Sequence, residues 1–263
     1  MIHILVTNDD GVTAPGLAAL ATAMLPLGRV TVFAPDRNWS ACGHVKTLNR
    51  PLRVNAVPFV ENITAFACDG APSDCVALAH LGVVAPFDLV VSGINSTFNL
   101  GQDVTYSGTV TAAMEGAVWG VPAIAFSTHP AEHGYSPSAA VAQQVVQRLL
   151  AQGEPLPHHT LLNVNIPSVA LADIQGIALT RQGLRIYRDA LDSRIDPRGQ
   201  PYYWIGGSEP SGVPEPGNDI AAIQQNWVSI TPLDLDLTAH NLLPVLSKWQ
   251  WTNQTQPEGS HHE

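Results

Sequence analysis

The chain has 263 residues, 45% apolar and 13% charged, a composition that supports a sizeable core and argues against disorder over most of its length. Twelve Lys and Arg face 22 Asp and Glu, a net charge of −10, which argues against nucleic-acid duplex or anionic-membrane binding because both need a positive surface. Three cysteines, Cys42, Cys68 and Cys75, form no CxxC pair, which argues against a disulfide scaffold and for a reducing, cytoplasmic setting.

The opening segment, MIHILVTNDDG, has no basic leader, and no apolar stretch approaches the roughly 18–20 residues of a membrane helix. Short apolar runs then recur at Ile2–Val6, Val30–Ala34, Leu89–Val91, Val121–Phe126 and Leu161–Ile166. Runs apolar on both faces belong to strands of a parallel sheet covered on each side. Helical spacing lies between them. Leu17, Leu20, Ala21, Met24 and Leu25 follow Pro15 and stop at Pro26 and Gly28. Val110, Ala113, Met114, Ala117 and Val118 repeat the pattern after Ser107, and Val141, Val145 and Leu149 repeat it before Gly153. This rhythm predicts an α/β fold with a doubly wound, mostly parallel sheet over residues 1–170.

The texture then changes. A turn at Asp196-Pro197-Arg198-Gly199, the aromatic run Tyr202-Tyr203-Trp204, a Pro/Gly-rich loop over Ser208–Gly217 and a strand at Trp227–Ile230 predict a β-rich region over 171–250. Its hairpin projects, and its aromatics call for cover from a partner subunit. Residues 251–263 read as a frayed polar tail.

Ligands of open α/β sheets bind beyond the carboxyl ends of the strands, where polar residues concentrate in this sequence. Asn8-Asp9-Asp10-Gly11 ends the first strand. Adjacent carboxylates point apart within a strand but converge at a turn, where a hard divalent cation relieves their repulsion. The plainer reading makes one Asp the cap of the following helix and the other a solvated turn residue. Ser107-Gly108-Thr109 opens a helix with free N–H groups and hydroxyls suited to phosphate, or, more plainly, with an ordinary serine cap. His129 and His133 are separated by Pro130 and form no metal-binding helix face; His158-His159 and His261-His262 read as surface. Cys42 and Cys75 have no neighbouring base to activate them.

Taken together, Ile4–Gly11, Ala34-Pro35-Asp36 with Ser40 and Gly43-His44, Val91–Asn95 with Asn99 and Gly101, and Ser107–Val110 resemble the SurE family. Gly70-Ala71-Pro72, Thr180-Arg181-Gln182, Tyr202–Trp204 and Val228–Pro232 extend the resemblance over about residues 1–240. It implies a Rossmann-like three-layer core and a divalent-metal nucleotidase hydrolysing nucleoside monophosphates, with polyphosphate as a further substrate in some members. It implies one Mg²⁺ or Mn²⁺ per subunit on Asp9, Asp10, Ser40 and Asn95, with Asp9 and Asp10 catalytic. Phosphate would lie at Asn99, Ser107, Gly108 and Thr109. Apart from the resemblance, His44 is close in the chain to Ser40, which makes it a candidate acid or, equally, a structural hydrogen-bond partner of that loop. A homodimer or homotetramer built through the C-terminal hairpin or arm is implied as well. Thr97 stands where the family pattern has Gly, so the 95–99 loop is expected to follow its own path; Ala71 replaces a usual Thr.

Overall fold

A computed structural model describes residues 1–130, 132–153, 156–249 and 251. Apart from Trp251, the expected polar tail lies outside them, His261-His262 included. The chain opens with β1 (His3–Thr7), α1 (Pro15–Met24) and β2 (Arg29–Pro35), followed by β3 (Val54–Val57), β4 (Thr64–Cys68) and α2 (Pro72–Leu78). Next come β5 (Leu89–Asn95), α3 (Gly108–Val118), β6 (Ala123–Thr128), α4 (Ser136–Ala151) and β7 (Thr160–Ile166). The remainder is β8 (Gly176–Leu179), β9 (Leu184–Ile195), β10 (Pro201–Val213), α5 (Asp219–Gln224), β11 (Trp227–Asp234) and α6 (Leu243–Leu246).

Nine strands form one sheet in the order β3-β4-β2-β1-β5-β6-β7-β11-β8. The six from β4 to β7 run parallel, while β3 and β11 pair antiparallel with β4 and β7. The sheet divides the core in two. Ile4 and Val6 of β1 pack with Leu17, Leu20 and Met24 of α1 and Val141 and Val145 of α4. Leu5 and Phe33 point the other way, against Cys75 and Val76 of α2 and Val110 and Ala113 of α3. Period-two alternation therefore feeds both helical layers, and each fully buried Leu or Phe contributes about 1.5–3 kcal/mol.

All five apolar runs are strands, and all three helical stripes are helices. In the C-terminal part, β8 and β11 extend the main sheet, while β9 and β10 form a separate two-stranded sheet. The loop expected from Ser208 is strand as far as Val213, with the pairing register shifting between Ser208 and Ser211. The hairpin turn forms at Asp196, whose Oδ1 accepts the N–H groups of Arg198 and Gln200 at 2.8 Å each.

Candidate active site

The sheet reverses its winding between β1 and β5, because the chain leaves β1 towards β2 on one side and returns to β5 on the other. The loops after these two strands meet in the crevice such a switch point creates. They line a cleft of about 570 Å³ with Asp9, Asn95, Asn99, Asp103, Tyr106 and Ser107, joined by Ser40 from the loop after β2.

The turn after β1 is closed by Asn8. Its amide donates to the Gly11 carbonyl at 3.0 Å, and its Oδ1 accepts the Gly11 N–H at 3.2 Å. Gly11 takes φ +101°, where a side chain is disfavoured. Neither aspartate caps α1, whose Ala14 cap makes no side-chain bond. Instead Asp9 is buried at the start of α3, where the Thr109 hydroxyl donates to its Oδ1. Burial pushes the Asp9 carboxyl above its ordinary pKa, opposed by the Thr109 hydroxyl and the N–H groups of Thr109 and Gly108. Asp10 is half-buried, and burial together with the Asp9 charge pushes it up to about 6. Gly108 lets the two segments touch: a Cβ there would lie 2.6 Å from the Asp9 Cβ and 3.0 Å from the Cys42 Sγ.

The opposite wall begins at Asn95, buried at the end of β5. Its amide nitrogen donates to the Thr97 carbonyl at 2.8 Å and reaches the Thr97 hydroxyl at 3.1 Å. That leaves its Oδ1 without an internal partner among the described residues. Thr97 keeps out of the left-handed region. Asn99 is held from below: its N–H donates to Asn165 Oδ1 at 2.8 Å, its side chain to Ser127 Oγ at 2.8 Å, and its carbonyl accepts from Asn163 and Asn165. These two β7 asparagines escape a reading of motifs. Their signal is a pair of buried amides two residues apart in an apolar strand, tolerable only if bonded. Asp219 is a second missed support; its carboxylate joins the N–H groups of Gly101 and Gly183 at 2.8 Å each.

Ser40 is exposed at the cleft edge. Its loop is fixed by Trp39 N–H on the Asp9 carbonyl at 2.8 Å and Gly43 N–H on the Tyr106 carbonyl at 2.9 Å. Ser107 both lines the cleft and caps α3, its Oγ accepting the Val110 N–H at 3.1 Å. Thr109 serves Asp9 and is absent from the cleft wall. His44 does not reach the cleft wall either: its Nε2 lies 2.8 Å from Glu115 Oε2. Burial and the Asp9 charge push the Cys42 thiol up to about 11, so it is no thiolate at neutral pH.

Glu115 anchors the Ser40 loop to α3. Its side chain is 4% exposed and bonds His44, Lys46 and Trp119 Nε1. Burial alone would raise its pKa, but these three donors hold it at about 2. A depressed carboxylate stabilises the fold above its unfolded pKa and loses that contribution as pH falls through the folded value. Stability is therefore expected to decline between about pH 4.5 and pH 2, by on the order of 3 kcal/mol from this group. Denaturant midpoints of wild type and Glu115→Gln across that range check it; parallel curves would remove Glu115 as the cause.

The donor set around Asp9 is oxygen only: carboxylate, amide carbonyl and hydroxyl. Among the described residues no cluster of three His, Cys, Asp or Glu forms a softer site. Such a set fits Mg²⁺, Mn²⁺ or Ca²⁺.

The family described as Survival protein SurE matches residues 4–189. A 5'-nucleotidase SurE of Chloroflexus aggregans is 51% identical over 253 residues, covering 95% of this chain and all of that protein. One from Geobacter sulfurreducens is 47% identical, covering 94% of each chain. The crystal structure of the SurE protein from Aquifex aeolicus covers 93% of this chain and 98% of its own, with a TM-score of 0.80 and 42% identity. The matched segment contains Asp9, Asp10, Ser40, Asn95, Asn99 and Ser107, and in sequence and fold alike the chain belongs to the SurE family.

Proposed function

We propose that this protein is a divalent-cation-dependent phosphomonoesterase that hydrolyses nucleoside monophosphates to nucleoside and phosphate. The observation that carries the reading is a buried carboxylate, Asp9, at a cleft also lined by the neutral oxygen-bearing side chains of Ser40, Asn95, Asn99 and Ser107. The family membership and the nucleotidase names of the relatives support it. Asp9, Asp10, Asn95 and Ser40 would hold Mg²⁺ or Mn²⁺, and a bound cation supplies charge neutralisation on phosphoryl oxygens and acidifies water. Thr97 fixes the Asn95 amide so that its carbonyl oxygen is presented. Ser107 and Asn99 bind and orient the phosphate from the remaining wall, and Thr109 holds Asp9 in place. We assign no proton transfer to His44, which is committed to Glu115.

The hairpin exposes Leu191, Ile195, Trp204 and Ile205, which supports a homo-oligomer formed through it. No helix among the described residues is long and apolar enough to cross a membrane. The three free cysteines support a cytoplasmic location.

The test is phosphate release from a panel of nucleoside monophosphates with Mg²⁺, Mn²⁺ or EDTA. Turnover is expected with cation, to vanish in EDTA, and to collapse in Asp10→Asn. Full turnover in EDTA would discard the cation from the reaction, and silence across the panel would discard the nucleotidase reading.

A further inference from the structure

The loop Ser96-Thr97-Phe98 is tied to the sheet at both ends. Asn95 pairs with Ser127 in the register of β5 and β6, and Asn99 is bound by Ser127 and Asn165. Thr97, at the middle of this short span, is exposed and lines the cleft. Its β-branched side chain has few rotamers to lose, so a ligand meeting it there would find it already placed.

The Thr97 hydroxyl is wired in one direction. Its Oγ1 lies 3.1 Å from the Asn95 amide nitrogen, which can only donate. The hydroxyl oxygen is therefore the acceptor, and its own proton points elsewhere. Among the described residues that proton has no acceptor. Ser107, from a separate segment of the same cleft, repeats the arrangement: its Oγ accepts the Val110 N–H at 3.1 Å, and its proton too has no acceptor among the described residues. Each hydroxyl is polarised by an amide and keeps a proton to give, which makes it the stronger donor. Two such donors in one cleft match an anion that carries several acceptor oxygens.

We propose that Thr97 is a substrate-contacting residue whose hydroxyl donates to a phosphoryl oxygen. The inference rests on the phosphomonoesterase reading of the same cleft and adds to it a contact that glycine, the residue of the family pattern at this position, has no side chain to make. The same hydroxyl would hold inorganic phosphate after hydrolysis, so this chain retains its product more tightly than it would with Gly at position 97.

The test measures binding of inorganic phosphate in the presence of Mn²⁺ by isothermal titration, and binding of Mn²⁺ alone by electron paramagnetic resonance. One hydrogen bond to a charged group corresponds to about 10- to 150-fold in affinity. Thr97→Val and Thr97→Gly are each expected to weaken phosphate by about tenfold, with Mn²⁺ affinity left near that of wild type. Thr97→Ser, which keeps the hydroxyl, is expected to bind phosphate as wild type does. The glycine variant decides the matter if the valine variant fails to fold. Unchanged phosphate affinity in the variants lacking the hydroxyl, a loss in Thr97→Ser as large as theirs, or no phosphate binding by wild type would overturn the contact. So would a fall in Mn²⁺ affinity equal to the fall in phosphate affinity, because Thr97 would then act only through Asn95. Turnover of nucleoside monophosphates is read separately. Silence there, with phosphate bound through Thr97, would strike the nucleotidase reading and uphold the phosphate contact.

Discussion

Asp9→Asn is expected to lower cation-dependent turnover by about 10³-fold while making the cation-free protein more stable. The two effects share one cause. Asp9 is buried, and burial makes its charge unfavourable in the folded state. An acid whose folded pKa is raised destabilises the fold at neutral pH relative to a neutral isostere, since the native state binds the proton more tightly. Asparagine has the same shape and no charge to desolvate, so the melting temperature measured in EDTA should rise, by about 2–4 °C for each kcal/mol relieved. Turnover should fall because, among the described residues, this carboxylate is the one buried charge lining the cleft, and losing one preorganised electrostatic partner typically costs 10²–10³ or more. Gly108→Ala should shift activity the same way but less, since its Cβ would push against Asp9. Phosphate release and thermal melts read both arms. Near-normal turnover in Asp9→Asn would sink the assignment.

The second large effect is on folding. Gly93 lies in β5 two residues before Asn95, at φ +125°. A Cβ there would sit 2.3 Å from the Phe126 carbonyl oxygen of β6, a backbone atom that cannot rotate aside. Gly93→Ala combines backbone strain of about 1–3 kcal/mol with overpacking of similar size, for an expected loss of about 4 kcal/mol. That corresponds to a melting temperature lower by roughly 8–16 °C. Gly82→Ala is the control, because Gly82 also has a positive φ, +111°, but among the described residues nothing lies within 4 Å of its Cβ position. Equal shifts in the two variants would mean that the β5–β6 contact is not the cause.

Much of this was legible in the residues alone. Central strands carried their signal because both faces are buried, so β1, β5 and β6 read as unbroken apolar runs. The edge strands did not. β3 is Val-Asn-Ala-Val, with one partner and no enclosed face, and β8 is four half-covered or exposed residues. The β4 run, Thr-Ala-Phe-Ala-Cys, is short and rich in alanine, a weak strand former. In the site, the Asp9-Asp10-Gly11 turn was readable because its chemistry is local. Asn163, Asn165, Asp219 and Glu115 were not, because each acts on a segment tens of residues away. His44 lies near Ser40 in the chain, but its side chain bonds Glu115 of α3, a structural role that only the folded chain displays.

The grip of β7 on Asn99 has a consequence for how the cleft breathes. Loops ordinarily open at little cost, independently of the sheet beneath. Here the Asn99 amide hydrogen is bound to a fully buried side chain of an interior strand, so exposing it requires loosening β7 and its neighbours. The wall carrying Asn99 therefore shares the opening energy of the sheet, whereas the rim at Tyr106 and Tyr187 is secured by solvent-facing contacts. The firm wall would keep its geometry from one turnover to the next.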